Sequence, residues 1–248
     1  WAMLGGRPAA WLRIFDEVDR VVVHSRRAAA ELPRRGVAPE RVVRIPHPVF
    51  SAARPAEPTR DGHTLLSFGL IRAYKGIDLL LEALPEIERA VPDVRLVIAG
   101  DSHDAVGPFR VLSDRLGVAD RVEWRLGFHP EVEIESLMAS TTAVVLPYRR
   151  WVDSSGVLAT ALGHGVPVVA TDVGNLGETV EEFGAGEVVP PEDVGALAGA
   201  CVRLLTDVGA RERAEAGALA ARKELTWEHS AELHERLYRS IAEPRPVR

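Results

Sequence analysis

Short runs of apolar residues alternate with longer segments of helical periodicity from residue 64 onward. Leu80, Leu81, Leu84 and Ile87 recur at the i, i+1, i+4, i+7 spacing that gives a helix one apolar face. The predicted strands cover residues 64–68, 94–99, 122–124, 143–146, 166–170 and 188–189, and the predicted helices cover residues 77–90, 109–116, 132–139, 154–162 and 194–205. Strands separated by helices of about 10–15 residues predict an α/β fold with a doubly wound, parallel, Rossmann-like sheet and right-handed crossovers.

The segments on either side of this alternation have a different pattern. They are predicted helices over residues 1–18, 26–32 and 211–241 and predicted strands over residues 21–23 and 42–45. Ser25 is the expected N-cap of the second helix, and Thr226-Trp227 interrupts the last one. Residues 51–62 are rich in proline and charge, so they predict a linker at a domain boundary.

The segment between residues 143 and 178 contains an informative loop. An apolar strand ends at Pro147, a polar loop follows, and a helix of small residues begins at Ser154-Ser155-Gly156. In an open parallel sheet, ligands bind at the loops that leave the carboxyl ends of the strands. The helix start offers free backbone N–H groups, two hydroxyls and no bulky side chain at Gly156, and these features predict an anion site.

A second loop at a strand end carries two cations. Gly69 closes the strand at residues 64–68, and Arg72, Lys75 and Gly76 precede the next helix. Glycine lets the backbone approach a ligand, Arg holds a phosphate bidentately, and Lys adds a point charge. The alternative is an ordinary loop with a solvated Arg and Lys. The Lys-Gly order differs from the Gly-Lys of a Walker loop, and no G-x-G-x-x-G follows a strand, so NAD binding is not predicted.

Composition narrows the class of partner. The 248 residues are 46% apolar and 27% charged with a net charge of −6, and no run of Lys or Arg exceeds a pair, so we expect no nucleic-acid partner. Cys201 is the only cysteine, which excludes an internal disulfide. No apolar run reaches the roughly 18 residues of a transmembrane helix and no signal peptide is visible, so we expect a cytoplasmic protein. A start at Trp1, with the first methionine at position 3, suggests part of a longer protein.

Four longer segments, taken in chain order, resemble one family. They are SFGLIRAYKGIDLLLEAL, VRLVIAGD, LGFHPEVEIESLMASTTAVVLPY and GHGVPVVATDVGNLGE. In this order they resemble the C-terminal half of GT-B glycosyltransferases and, more narrowly, the large retaining glycosyl transferases group 1 family. The resemblance runs from residue 19 to about residue 241, because DRVVVHS resembles the last strand of the family's N-terminal domain, RVVRIPHPV the interdomain connection and TWEHSAELHERLY the closing helix.

The resemblance implies three parts and an activity. Residues 1–52 would be the tail of an N-terminal acceptor domain and the interdomain connection, residues 53–225 a nucleotide-sugar donor domain, and residues 226–248 the crossing helix and tail. Family members transfer a hexose with retention from a nucleotide-diphosphate sugar, such as a UDP or GDP sugar, with no metal or other cofactor. The expected acceptor is a glycan, a lipid-linked or a small molecule, and peripheral membrane contact would involve the N-terminal part. The absence of any Asp-x-Asp pair agrees with a metal-free reaction.

The resemblance also assigns roles to residues. Arg72 and Lys75 would act in catalysis by neutralising the departing diphosphate, and Asp153 would either contact the sugar or simply cap the helix. The implied donor-binding residues are Gly69, Gly127, Phe128, Ser154, Ser155, Gly156 and Val157, among which Gly127 and Phe128 would line the nucleobase.

Three positions depart from the family pattern. Val152 and Thr160 occupy the places of the usual Glu-x7-Glu pair, and Leu70 replaces the Arg that usually follows the strand glycine. A nucleotide-sugar binding module, or an inactive fragment that lacks its acceptor domain, is therefore an alternative function. A sugar-nucleotide epimerase of similar fold is a third hypothesis.

Further side chains near the expected cleft have two interpretations. His24, His47 and His129 either touch substrate or are structural, and Glu178 either caps a helix or reaches toward the sugar. Trp227 is expected to belong to the core rather than to a sugar platform.

Overall fold

The structure is a computed structural model, and it describes residue 15 and residues 17–50, 57–102, 105–150 and 154–242. Most of the predicted N-terminal helix, the predicted boundary between residues 52 and 53, and Asp153 lie outside the described residues.

The described part of the chain alternates strands and helices as the apolar pattern predicts. Its strands are β1 (Val21–Val23), β2 (Val42–Arg44), β3 (Thr64–Phe68), β4 (Arg95–Gly100), β5 (Val122–Leu126), β6 (Ala143–Leu146), β7 (Val168–Thr171) and β8 (Gly186–Val189). Its α-helices are α1 (Arg26–Arg34), α2 (Ile77–Ala90), α3 (Gly107–Arg115), α4 (Glu131–Ser140), α5 (Gly156–Gly163), α6 (Leu176–Phe183), α7 (Val194–Thr206), α8 (Val208–Glu224) and α9 (Trp227–Ala242). Short 3-10 turns cover Pro39–Arg41, Ala73–Lys75 and Ala119–Arg121.

The main sheet has six parallel strands in the order β5-β4-β3-β6-β7-β8. The chain therefore winds outward in one direction from β3 and in the other direction from β6. These two strands pair directly, with Leu65 opposite Ala143 and Leu66 opposite Val144. The carboxyl ends of β3 and β6 form the switch point where an open α/β sheet has its ligand crevice. The prediction of a doubly wound parallel sheet is confirmed.

Both faces of the sheet are buried at its inner strands β4, β3, β6 and β7, which explains why these strands are mostly apolar. Successive residues of a strand point to opposite faces, so Leu65 and Val145 join one core cluster while Leu66 and Val144 join the other. The first cluster includes the apolar faces of α2 and α7, and the second includes those of α5 and α6. The two loops at the switch point are thus carried by elements that are anchored on both sides.

A small N-terminal unit packs beside this domain. Strands β1 and β2 pair in parallel, and α1 covers them with a separate cluster of Val23, Ala28, Leu32 and Val37. Ser25 caps α1 as predicted, because its hydroxyl accepts a hydrogen bond from Ala28 N–H at 2.9 Å.

The structure corrects four details of the sequence prediction. Strand β5 continues to Leu126, two residues beyond its predicted end, and β7 starts at Val168 rather than at residue 166. Helix α6 has no counterpart among the predicted helices, and it buries only three of its eight residues. Trp227 is 57% exposed and packs against Phe50 at a ring distance of 5.9 Å, so the expectation of a core position was wrong.

Candidate functional site

An open cleft of about 320 Å³ lies at the carboxyl ends of β3 and β6. It is lined by Phe50, Phe68, Gly69, Leu70, Tyr74, Lys75, Tyr148, Ser154, Ser155, Gly156, Val157 and Thr160. The structure therefore brings together the two loops that the sequence singles out. Among these described lining residues there is one cation, Lys75, and no carboxylate.

Lys75 is buried, with 7% of its surface exposed. Its ammonium donates a long hydrogen bond of 3.3 Å to Phe68 O and lies 5.5 Å from the ring centre of Tyr148. No described carboxylate lies within ion-pair distance of it, and burial lowers its pKa from 10.5 to about 8. A buried cation without a counter-charge is costly, so the geometry favours an anionic ligand beside it.

Gly69 makes room for this lysine. Its φ of +92° lies in the region that favours glycine, and a Cβ there would be 2.9 Å from Val157 Cγ2 and 3.0 Å from Lys75 Nζ. Any side chain at position 69 would compete for space with the ammonium at the floor of the cleft. Glycine is therefore favoured at position 69 both by the backbone conformation and by the lack of space for a side chain.

The other wall of the cleft is the amino end of α5. Ser155 is the N-cap, and its hydroxyl accepts a hydrogen bond from Leu158 N–H at 3.3 Å. The N–H groups of Gly156 and Val157, in the first turn, have no partner within the helix. With the positive end of the helix dipole, they form a second electropositive element facing the same space as Lys75.

Aromatic side chains complete the lining. Tyr148 is buried, and its burial raises the pKa of its phenol above the ordinary value. Its OH lies 3.4 Å from Ser155 Oγ, and Tyr74 packs against it edge-on at 5.6 Å. Phe50, which no pattern in the sequence singles out, lies across from Gly156, at 3.6 Å from the position that a Cβ there would take. Its place in the cleft depends on how the chain folds back after β2.

Unlike Lys75, the other two predicted catalytic residues are not among the described residues that line the cleft. Arg72 is partly buried and is not among the residues that line the cleft, because the 3-10 turn Ala73–Lys75 separates it from the lysine. Asp153 lies outside the described residues. A role for either of them stays a prediction.

The predicted nucleobase loop lies at the neighbouring edge of the sheet. Phe128 is 88% exposed, and neither it nor Gly127 lines the cleft. The loop is linked to the cleft through His129, whose ring centre is 6.5 Å from that of Phe68. His129 is held by Glu133 Oε2 and by Arg125 O, both at 2.9 Å, which supports its structural interpretation.

The other side chains that could be either structural or substrate contacts lie at the junction with the N-terminal unit. His24 and His47 pack edge-on at 5.4 Å, and neither lines the cleft. Glu178 accepts hydrogen bonds from the backbone N–H groups of Arg26 and Arg27, at 2.6 and 3.0 Å. Glu178 therefore caps a helix, but that helix is α1 of the neighbouring unit.

Comparison with known proteins identifies the protein family to which this site belongs. Residues 62–207 match the family model described as glycosyl transferases group 1, and this match covers more than half of the chain. The chain belongs to the glycosyl transferases group 1 family.

Curated relatives and solved structures agree with this assignment. A D-inositol 3-phosphate glycosyltransferase from Xylanimonas cellulosilytica is 33% identical over 195 residues, which are 76% of this chain and 45% of that protein. A GDP-mannose-dependent alpha-(1-6)-phosphatidylinositol monomannoside mannosyltransferase from Mycolicibacterium smegmatis is 33% identical over 230 residues, which are 84% of this chain and 58% of that protein. The chain thus spans about half the length of the curated relatives it matches.

Among solved structures, sucrose-phosphate synthase from Thermosynechococcus elongatus superposes with a TM-score of 0.77 at 27% identity, covering 94% of this chain and 61% of that one. An Anabaena protein, HepE, solved in complex with UDP and glucose, shares the fold with a TM-score of 0.78 at 19% identity, covering 96% of this chain and 67% of that one. The α/β GT-B fold and the family membership expected from the sequence are confirmed. In the described residues, no helix is both long enough and apolar enough to cross a membrane.

Proposed function

We propose that the cleft binds the diphosphate of a nucleotide-sugar donor and that the protein transfers a hexose from it with retention and without a metal ion. The observation that carries this proposal is the buried Lys75 ammonium, which faces the cleft without a carboxylate partner among the described residues. The acceptor would be a glycan, a lipid-linked molecule or a small molecule.

The electrostatics of the cleft suit a diphosphate. Lys75 supplies one full positive charge, and the N–H groups at the start of α5 supply hydrogen bonds and the helix dipole. Both are held in place by the fold before a ligand arrives, and the Lys75 ammonium is largely removed from water, so it interacts strongly with charge that develops there. A leaving diphosphate gains negative charge as its bond to the sugar breaks, so Lys75 would stabilise the transition state more than the bound donor.

The reaction would take place on one face of the sugar. The acceptor oxygen would form a bond to the anomeric carbon on the face from which the diphosphate leaves, as the bond between that carbon and the diphosphate oxygen breaks. The acceptor proton would pass to the departing diphosphate oxygen, so that no protein base is required. The protein would contribute positioning and charge stabilisation.

The names of the relatives support this assignment. One curated relative is described as GDP-mannose-dependent, and one structural neighbour was solved with UDP and glucose. UDP and GDP are therefore the natural probes of the cleft.

A binding module without activity is the second candidate. Thr160 lines the cleft at a position where the family pattern has a carboxylate, and its hydroxyl donates to Gly156 O at 2.8 Å. Its proton is therefore engaged within the helix and is not available to a ligand. Binding of nucleotide diphosphate without release of UDP or GDP from a donor sugar, in the complete natural protein with acceptor present, would favour the module.

Calorimetry with UDP and GDP tests the proposed function. The sequence contains two lysines, Lys75 in the cleft and Lys223 near the end of α8, so Lys223→Ala is the matched control for Lys75→Ala. We expect Lys75→Ala to weaken binding by about a hundredfold, since charge-assisted hydrogen bonds contribute roughly 1.5–3 kcal/mol. Equal affinities of the two variants would reject the assignment of Lys75.

A further inference from the structure

Arg149 connects the two loops that form the cleft. It lies in the loop after β6, and its guanidinium donates two hydrogen bonds to the carboxylate of Asp78, at 2.6 and 2.8 Å. Asp78 is in the first turn of α2, directly after the loop that carries Lys75. A further bond of 2.9 Å joins Arg149 Nε to Glu192. The proposed chemistry uses neither Arg149 nor Asp78.

The same segment also holds the backbone of the lysine turn. Arg149 N–H donates to Tyr74 O at 2.8 Å, and the guanidinium approaches Ala73 O at 3.4 Å. Gly76 ends the turn with a φ of +68°, and a Cβ there would lie 2.0 Å from Pro147 O. The turn Ala73–Lys75 is therefore pressed against the loop after β6 by contacts on both its backbone and its flanking helix.

The ion pair is stronger than an ordinary surface pair. Its two side chains are only 27% and 33% exposed, and the contact is bidentate. Burial alone would raise the pKa of Asp78, but the hydrogen bonds from Arg149 hold it below its ordinary value. The pair remains charged at neutral pH and is suited to a positioning role.

We infer that Arg149 and Asp78 are positioning residues for Lys75: their ion pair locks the turn Ala73–Lys75 onto the loop after β6 and so keeps the ammonium at the floor of the cleft. The importance of the ammonium's position for donor binding rests on the proposed function. The role of Arg149 and Asp78 in setting that position does not. Within the described residues, the Lys75 side chain makes one hydrogen bond, to Phe68 O, and one cation–π contact, with Tyr148. The placement of its ammonium therefore depends on where its backbone is held.

The two lysines of the chain allow a direct test by NMR. In the 248-residue protein labelled with ¹³C-lysine, the Cε signals of Lys75 and Lys223 report the titration of each ammonium, and Lys75→Met assigns them. The titratable group that faces Lys75 is the phenol of Tyr148, with Tyr74 packed against it. We expect a midpoint near 8 for Lys75 in the unaltered protein.

Two variants separate position from charge. Arg149→Gln removes a positive charge and Asp78→Asn removes a negative one, so a purely Coulombic effect would shift the midpoint of Lys75 in opposite directions. If the pair positions the turn, both variants loosen it and expose the ammonium to water. Both midpoints then rise toward the ordinary lysine value, by roughly one pH unit.

A second ion pair on the same helix provides the control. Arg121 Nε contacts Glu88 Oε1 at 2.6 Å near the far end of α2, with side-chain exposures of 37% and 30%. Arg121→Gln should leave the midpoint unchanged and the affinity for UDP unaltered. Arg149→Gln and Asp78→Asn should both weaken UDP binding by about tenfold, because a small displacement of a binding group has a large effect.

The outcomes distinguish the inference from the proposed function. Shifts of opposite sign, or shifts no larger than that of Arg121→Gln, would overturn the positioning role. Failure of the unaltered protein to bind UDP or GDP would overturn the proposed function, while the NMR titrations would still decide whether the pair positions Lys75.

Discussion

Shielded charged side chains are paired at the junction with the N-terminal unit, whereas the one in the cleft has no described partner of opposite charge. At the junction, the carboxylate of Glu178 is 14% exposed and accepts two backbone N–H groups, and Arg44 pairs with Glu182 at 2.9 Å. In the cleft, Lys75 is also shielded from water, with 7% of its surface exposed, but it has no described counter-charge. The paired charges hold two parts of the chain together, whereas the unpaired charge would, under the proposed function, be neutralised by the anion of a ligand.

Breaking the paired region should have the largest effect on stability. Glu178→Ala leaves Arg44 without one partner and two helix N–H groups without an acceptor, so we expect a loss of about 3 kcal/mol in the free energy of unfolding. Urea denaturation measures this loss. Glu31→Ala is the control, because Glu31 pairs with Arg34 and Arg35 on the exposed surface at the end of α1 and should change stability by less than about 0.5 kcal/mol. Similar losses for the two variants would show that the junction is not specially stabilised by Glu178.

The unpaired charge of Lys75 should make the folding stability depend on pH. Because the pKa of Lys75 is lowered to about 8 in the folded chain, the unfolded chain holds more protons between pH 8 and about 10.5, so folding stability rises with pH across this window. The rise amounts to about 2–3 kcal/mol, at roughly 1.4 kcal/mol per pKa unit. Denaturation of the unaltered protein and of Lys75→Met at several pH values isolates this contribution as their difference. A difference that stays constant from pH 7 to pH 10 would mean that Lys75 is not desolvated.

The glycine beside the lysine offers a smaller perturbation. Gly69→Ala places a methyl group 3.0 Å from Lys75 Nζ in a backbone conformation with positive φ, so we expect a loss of about 1–2 kcal/mol in stability and roughly tenfold in affinity for UDP. Gly107→Ala is the control, since its Cβ would enter open space at the start of α3. Calorimetry and denaturation compare the two. Unchanged affinity in Gly69→Ala would show that the ammonium does not need its present position.

The sequence predicts best those features that depend on neighbouring residues. The bounds of β3 and α2 follow from local apolar patterns and are confirmed, and Lys75 with the start of α5 could be selected as parts of an anion site. The sequence could not tell that Lys75 lines the cleft and Arg72 does not, because a single 3-10 turn decides it. It also gave no signal for contacts between distant segments.

The ion pair of Arg149 with Asp78 spans 71 residues, and the hydrogen bond from Arg26 to Glu178 spans 152. Such contacts arise from the winding of the sheet around its switch point and from the packing of the N-terminal unit, not from local propensity. Phe50 belongs to the same class, because only the return of the chain after β2 brings it to the cleft.

The stability of Lys75→Met with and without UDP tests most directly whether Lys75 is a buried cation whose missing partner is a ligand. At pH 7 and without ligand, we expect the variant to be about 2 kcal/mol more stable than the unaltered protein, because it removes an uncompensated buried charge. UDP at a hundredfold excess over its Kd should stabilise the unaltered protein by about 2.7 kcal/mol and the variant by much less. A variant that is less stable than the unaltered protein, and that UDP stabilises equally well, would contradict the account.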